Sequence, residues 1–254
     1  MNILKSQLFF HYKQSQNLRM RLFDYEKILV DDFVTPFPVV RNLSDDIGER
    51  VSRFESISLN GHSRIRISPT FLNFETKYTK EFQVDSSKIQ KYLENKLPTL
   101  WRIVEKEEYT HYGIVLTLYS DNKALDEVLP EIKSVFREDK MNLDDLIDLK
   151  VSYVYSLRNK YFLNVKYSPM VMEFESSDPV DDSSSEKKVE DYIGIEVVID
   201  VNNKPSTLAN EEVGSREDML SFFKKVIENA FSNSTDSFIS GSPDFTSLLE
   251  RDGD

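Results

Sequence analysis

Hydrophobic and polar positions along this chain follow two alternating rhythms, a two-residue period typical of half-buried strands and a helical spacing that takes over after them. Ile3 to Lys13 alternates, with Leu4, Leu8, Phe10 and Tyr12 on one side and Lys5, Gln7, His11 and Lys13 mostly on the other, and predicts a first strand. From Gln14 to Arg53 the periodicity is poor. Thr35-Pro36-Phe37-Pro38 there removes two backbone donors and fixes φ, so the stretch reads as a long connection with room for one short helix. Ile57 and Leu59, then Asn60-Gly61, then Ile65 and Ile67 predict a hairpin, because Asn-Gly suits both central positions of a type I′ turn.

Phe71 to Thr76 resumes an extended pattern, and Asp85-Ser86-Ser87 offers a side-chain oxygen to cap a helix. Ile89, Leu93, Leu97, Leu100, Trp101 and Val104 recur at helical spacing from Ser86 to Val104, across Pro98. Tyr109 to Tyr119 predicts a strand with Tyr112, Ile114, Leu116 and Leu118 on one face, and Ala124 to Phe136 a further helix. A second hairpin follows. Leu149, Val151, Tyr153, Tyr155 and Leu157 alternate, Arg158-Asn159-Lys160 turns, and Tyr161, Leu163, Val165 and Tyr167 alternate back.

Ser176 to Glu190 is almost devoid of apolar residues and predicts a mobile loop inside the domain. Tyr192 to Val201 then predicts the last strand. Ser215 with Asp218 has the form of a capping box, ahead of the stripe Met219, Leu220, Phe223, Val226, Ile227, Ala230 and Phe231. These elements specify an α+β fold of antiparallel sheets packed against amphipathic helices, arranged as two strand-then-helix halves. The halves span 1–140 and 141–240, within one compact unit, and 241–254 is expected to be a flexible tail.

Composition narrows the chemistry. With 254 residues, 39% of them hydrophobic and including 12 Tyr and 17 Phe, the chain can build a sizeable core without a disulfide or metal. The formal net charge of −12 repels phosphate backbones and makes nucleic acid a disfavoured partner. Arg64 and Arg66 would share one strand face, which reads as a solvated outer surface. The absence of cysteine excludes thiolate sites and a Cys nucleophile and suits a cytoplasmic protein. There is neither an export signal nor an apolar run of about 18 residues, so no membrane association is expected.

Catalytic constellations are weak throughout. His11, His62 and His111 have no second ligand at metal-binding spacing, and the chain holds no Gly-rich phosphate loop and no GxSxG elbow. Asp126 with Glu131-Ile132-Lys133 faintly matches a metal-nuclease pattern, although it falls in a helical stripe rather than on paired strands. Glu196 and Asp200 share a strand face expected to be wet. No metal ligands and no cofactor are expected.

Ser63-Arg64-Ile65-Arg66-Ile67-Ser68-Pro69, Tyr112-Gly113-Ile114, Ile195-Glu196-Val197-Val198-Ile199-Asp200-Val201 and Ile227-Glu228-Asn229-Ala230-Phe231 carry a resemblance. Together they resemble a sporadically distributed, uncharacterised family of bacterial proteins of about this length. That resemblance implies strands followed by helices and carries no catalytic residue. The layout is also similar, more loosely, to SecB-like export chaperones, which are acidic and bind unfolded chains in apolar grooves. The expectation is a non-enzymatic cytoplasmic protein-binding module, chaperone-like or an antitoxin or immunity component of a bacterial defence system. Its partner would be another protein, with a homo-oligomer left open, and Tyr153, Tyr155, Tyr161 and Tyr167 would form the contact surface, since Tyr supplies area at low entropy cost. The alternative is a metal-dependent hydrolase or nuclease whose carboxylates converge only in three dimensions.

Overall fold

The computed structural model describes residues 2–15, 18–30, 39–40, 48, 50–58, 60–120, 150–158, 160–175, 189–208, 215–233, 237, 243–245 and 248. Among the described residues nine strands form one sheet: β1 (Asn2–Tyr12), β2 (Val39–Val40), β3 (Phe54–Ile57), β4 (Ser63–Ile67), β5 (Phe71–Lys77), β6 (Tyr109–Ser120), β7 (Val151–Leu157), β8 (Tyr161–Glu175) and β9 (Val189–Asn202). The helices are α1 (Leu18–Leu29), α2 (Lys80–Gln83), α3 (Ser86–Val104), α4 (Lys204–Leu208) and α5 (Arg216–Ser232). The α+β class holds, but the strands join in a single sheet rather than several.

Its order is β2-β3-β4-β5-β1-β6-β9-β8-β7, and every described pairing is antiparallel. The β6–β9 ladder, from Gly113 opposite Asn202 to Ser120 opposite Ile195, links strands of the first half to those of the second.

One face of this sheet is covered by helices. Leu8 and Phe10 of β1, Ile65 and Ile67 of β4, Leu72 and Phe74 of β5, Ile114, Leu116 and Leu118 of β6, and Val197, Ile199 and Val201 of β9 are buried in a single core. The same core takes Ile89, Leu93, Leu97 and Leu100 of α3 and Met219, Phe223, Val226, Ile227 and Ala230 of α5. Alternation along each strand explains why one face supplies all of these side chains. Leu4 is an exception to the expected face: a bulge between Ile3 and Lys5 puts Ile3 into the core instead.

Local signals in the sequence are realised where they act within a few residues. The Asp85 carboxylate accepts from the backbone N–H groups of Ser87 and Lys88 and caps α3, which continues through Pro98. Ser215 and Asp218 form the reciprocal capping box of α5. At the first hairpin, Gly61 takes a left-handed φ of 73°, and the turn closes through Gly61 N–H to the Ser58 carbonyl at 2.8 Å. That bond puts Gly61 at the last position of the turn rather than a central one, so Asn60-Gly61 is not the central pair of a type I′ turn, and the Asn60 side-chain oxygen accepts from the Ser58 hydroxyl and the His62 N–H. In the second hairpin Arg158 has φ 47° and Lys160 N–H donates to the Leu157 carbonyl.

Three segments differ from the sequence reading. The connection after β1 contains the twelve-residue α1, longer than the short helix expected. The last strand starts at Val189 rather than Tyr192, because β8 and β9 stay paired as far as Glu175 opposite Val189. In the expected tail, Phe245 and Leu248 are buried in the core, and Asn233 holds that segment by donating to the Asp244 carbonyl and accepting from the Asp244 N–H. The expected helix at 124–136, with Asp126 and Glu131, and the polar stretch 176–188 lie outside the described residues.

Candidate interaction surfaces

The four tyrosines of the second hairpin all project from the helix-side face of the sheet. Tyr167 is core, 1% exposed, and Val151 and Val165 are buried beside it. Tyr161 stacks on Phe222 of α5 with ring centroids 4.9 Å apart. Tyr153 packs edge-on against Tyr167 and lies 6.2 Å from Tyr155, and both Tyr153 and Tyr155 are half-buried on β7. Alternation showed that these side chains share a face, but burial consumes Tyr167, while Tyr153, Tyr155 and Tyr161 are each half-buried.

The opposite face of the sheet is polar at its β3–β5 end. Arg64 and Arg66 flank Glu55 at 3.2 and 3.7 Å, and Gln7 donates to Glu75, which also lies 3.9 Å from Lys5. The two arginines thus share the Glu55 carboxylate within the sheet. Farther along, Asp200 accepts from the side-chain amides of Asn164 and Asn202, and burial raises its carboxyl above the ordinary value while those hydrogen bonds hold it down. Ser168 hydroxyl donates to Glu196 on the same strand face.

His11 and His111 lie opposite each other in the β1–β6 ladder with stacked rings, centroids 4.4 Å apart. Burial lowers the pKa of His111 to about 4, with the neighbouring His11 and Lys204 adding to the effect. His11 is lowered by burial, with Arg50 and Lys204 contributing. Both rings are therefore neutral at pH 7. Their nitrogen lone pairs lie in nearly parallel planes, which prevents them from converging on one metal ion. Among the described residues no group of three His, Asp or Glu side chains could hold a metal. His62 is exposed in the β3–β4 turn.

A third surface escaped sequence reasoning. The inner side of α1 buries Leu18, Leu22, Tyr25, Ile28 and Leu29, while Met20, Phe23 and Val30 stand on its outer side, 77%, 70% and 54% exposed. Positions 20, 23, 27 and 30 share one helical face, so these apolar side chains form a stripe broken only by Lys27. The helix itself is firmly seated. The Tyr25 hydroxyl and the Arg21 guanidinium both donate to the Glu107 carboxylate, which is itself buried, and Arg21 also donates to the Lys106 carbonyl.

Among the described residues these features define a helix-backed antiparallel sheet with exposed apolar groups on α1 and at Val154 of β7. No protein-family model and no curated protein matches the chain. Among the described residues no helix is long and apolar enough to cross a membrane.

Proposed function

We propose that this chain is a non-enzymatic protein-binding module and that another protein docks on the outer face of α1. The observation that carries the reading is the exposure of Met20 and Phe23 on a helix whose other side is anchored in the core. A fixed helix presenting large apolar side chains at i and i+3 fits the way a protein groove grips a helix, and Met adapts its shape to varied partners. The chaperone-like and the antitoxin or immunity forms of this function, and its placement in the cytoplasm, belong to the same proposal. So does the resemblance to the uncharacterised bacterial family, whose four segments fall on β4, β6, β9 and α5.

The test is a photo-crosslinking amino acid at position 23 in cells of the source organism, with position 84 as control. Val84 is similarly exposed, at 65%, in the turn between α2 and α3. A discrete protein adduct from position 23 and none from position 84 is the expected result. Equal labelling from both positions, or none from position 23, removes the reading.

A further inference from the structure

Phe71, His11 and His111 stand in one row across β5, β1 and β6, because Phe71 and His111 are the register partners of His11 on either side. Their strand neighbours Phe10 and Tyr112 point into the core, so the row lies on the sheet face away from the helices. Between ring centroids, His11 is 4.4 Å from His111, 6.1 Å from Phe71 and 5.7 Å from Phe9, which meets it edge-on. Two cations border this row. Lys204 is set beside His111 by the residue before it: Asn203 N–H donates to the Tyr112 carbonyl, and the Asn203 side-chain oxygen accepts from the Tyr112 N–H. Arg50 precedes β3, and its charge acts on His11 while that of Lys204 acts on both imidazoles. Arg50 and Lys204 are exposed, and the two histidines are half-buried.

Charge in this cluster is one-sided. The described carboxylates nearby in sequence have other partners: Glu108 pairs with Lys13, Glu107 with Arg21, and Asp200 accepts from two side-chain amides. Among the described residues neither Arg50 nor Lys204 forms a salt bridge, although the chain holds 44 acidic residues against 32 basic ones. Two fixed positive charges beside two imidazoles, each able to take up one proton, suit a doubly charged oxyanion. Thr110 fixes where the proton goes on His111. Its hydroxyl donates to the His11 carbonyl, so its oxygen accepts from the Nδ1–H of His111, and an added proton joins Nε2.

We propose that Arg50, Lys204, His11 and His111 bind a phosphate dianion, either free phosphate or the phosphoryl group of a small molecule, and that the imidazoles take up a proton as it binds. Phe9 and Phe71, beside the row, offer apolar contact to the organic part of such an ester. A nucleic-acid strand fits less well, since its many phosphates would lie against a chain of net charge −12. This site goes beyond the α1 reading and does not depend on it.

The experiment uses the full chain, whose 3 histidines are followed by their imidazole signals in proton NMR, with exposed His62 as the internal control. Sulfate is the first probe, because it stays a dianion throughout and any pH dependence then belongs to the protein. At constant ionic strength, replacing chloride by sulfate should move the His11 and His111 titrations to higher pH and leave that of His62 in place. Sulfate should bind about threefold more tightly at pH 5.5 than at pH 7.5, as proton uptake by the imidazoles requires. Inorganic phosphate and phenyl phosphate should each displace it. Tighter binding of phenyl phosphate supports the site and assigns it to an aryl phosphate, and equal or weaker binding supports it and assigns free phosphate. Arg50→Gln combined with Lys204→Gln, at two exposed positions, should abolish the sulfate response with circular dichroism unchanged. His11 and His111 titrations that move no more than that of His62 overturn the proposal. So does a sulfate response that survives the double substitution, or one that neither phosphate displaces. None of these outcomes touches the α1 reading, since the adduct from position 23 is measured separately.

Discussion

His11 and His111 face each other across the β1–β6 ladder with their rings 12° from parallel, a pair formed by residues far apart in sequence. Both pKa values are depressed chiefly by burial, that of His111 to about 4. In the unfolded chain these groups bind protons near pH 6.5, whereas the folded state excludes them, so folding stability is present above that pH and is lost as the pH falls towards 4. The melting temperature should decline between pH 6.5 and 5, before most carboxylates titrate. His111→Gln, which keeps a polar group but cannot titrate, should flatten that part of the profile. An unchanged profile in the variant would show that the pair does not govern acid sensitivity.

Asp200 has the opposite linkage. Burial raises its folded pKa above the unfolded value, so ionising it costs stability as the pH rises through that interval, and the cost persists at neutral pH. Asp200→Asn should raise the melting temperature at pH 7, because the neutral amide keeps an acceptor for Asn164 and Asn202. The gain should vanish below about pH 3.5, where the carboxyl is protonated in both states. A loss of stability at pH 7 would mean that the two amide hydrogen bonds outweigh the burial of charge.

What the sequence revealed and what it hid divide along the range of the interactions. The Asp85 cap, the Ser215–Asp218 box and the alternation of Tyr153, Tyr155, Tyr161 and Tyr167 act over a few residues and were legible. The α1 helix was obscured because Met20 and Phe23 are apolar on its outer side, and their presence beside Leu18, Leu22 and Tyr25 erases the amphipathic stripe that marks a helix. The docking surface proposed here is thus the same feature that concealed its element. Val189 and Glu190 read as loop, yet they belong to β9 because the β8–β9 ladder continues through them. Alternation could not say which strand face the helices would cover, and so could not separate a contact tyrosine from the buried Tyr167. Nor could it place β1 between β5 and β6, the pairing that brings the two histidines together.

Phe223 and Ile227 sit at the centre of the α5 contact, with Phe223 edge-on to both Phe10 of β1 and Tyr112 of β6. Truncation at either position leaves a cavity that the rigid sheet below cannot fill. Phe223→Ala should cost about 3–5 kcal/mol and Ile227→Ala about 2–5 kcal/mol of unfolding free energy. Denaturant midpoints within error of the parent would place the α5 stripe outside the core.

Gly194 of β9 leaves no room for a side chain beside the end of β6. A Cβ at this position would lie 2.0 Å from the Ser120 carbonyl oxygen and 2.8 Å from the Tyr119 ring. The ring is a side chain that can swing aside, but the carbonyl belongs to the backbone of the paired strand, and moving it disturbs the ladder at Ser120 opposite Ile195. Gly194→Ala should therefore destabilise the protein by at least about 1–3 kcal/mol, the usual cost of forced overpacking. Gly48, whose added Cβ would meet nothing within 4 Å, is the control, and Gly48→Ala should leave the denaturant midpoint nearly unchanged. Equal midpoints for the two variants would mean that β6 and β9 are farther apart at this end of the ladder than the register requires.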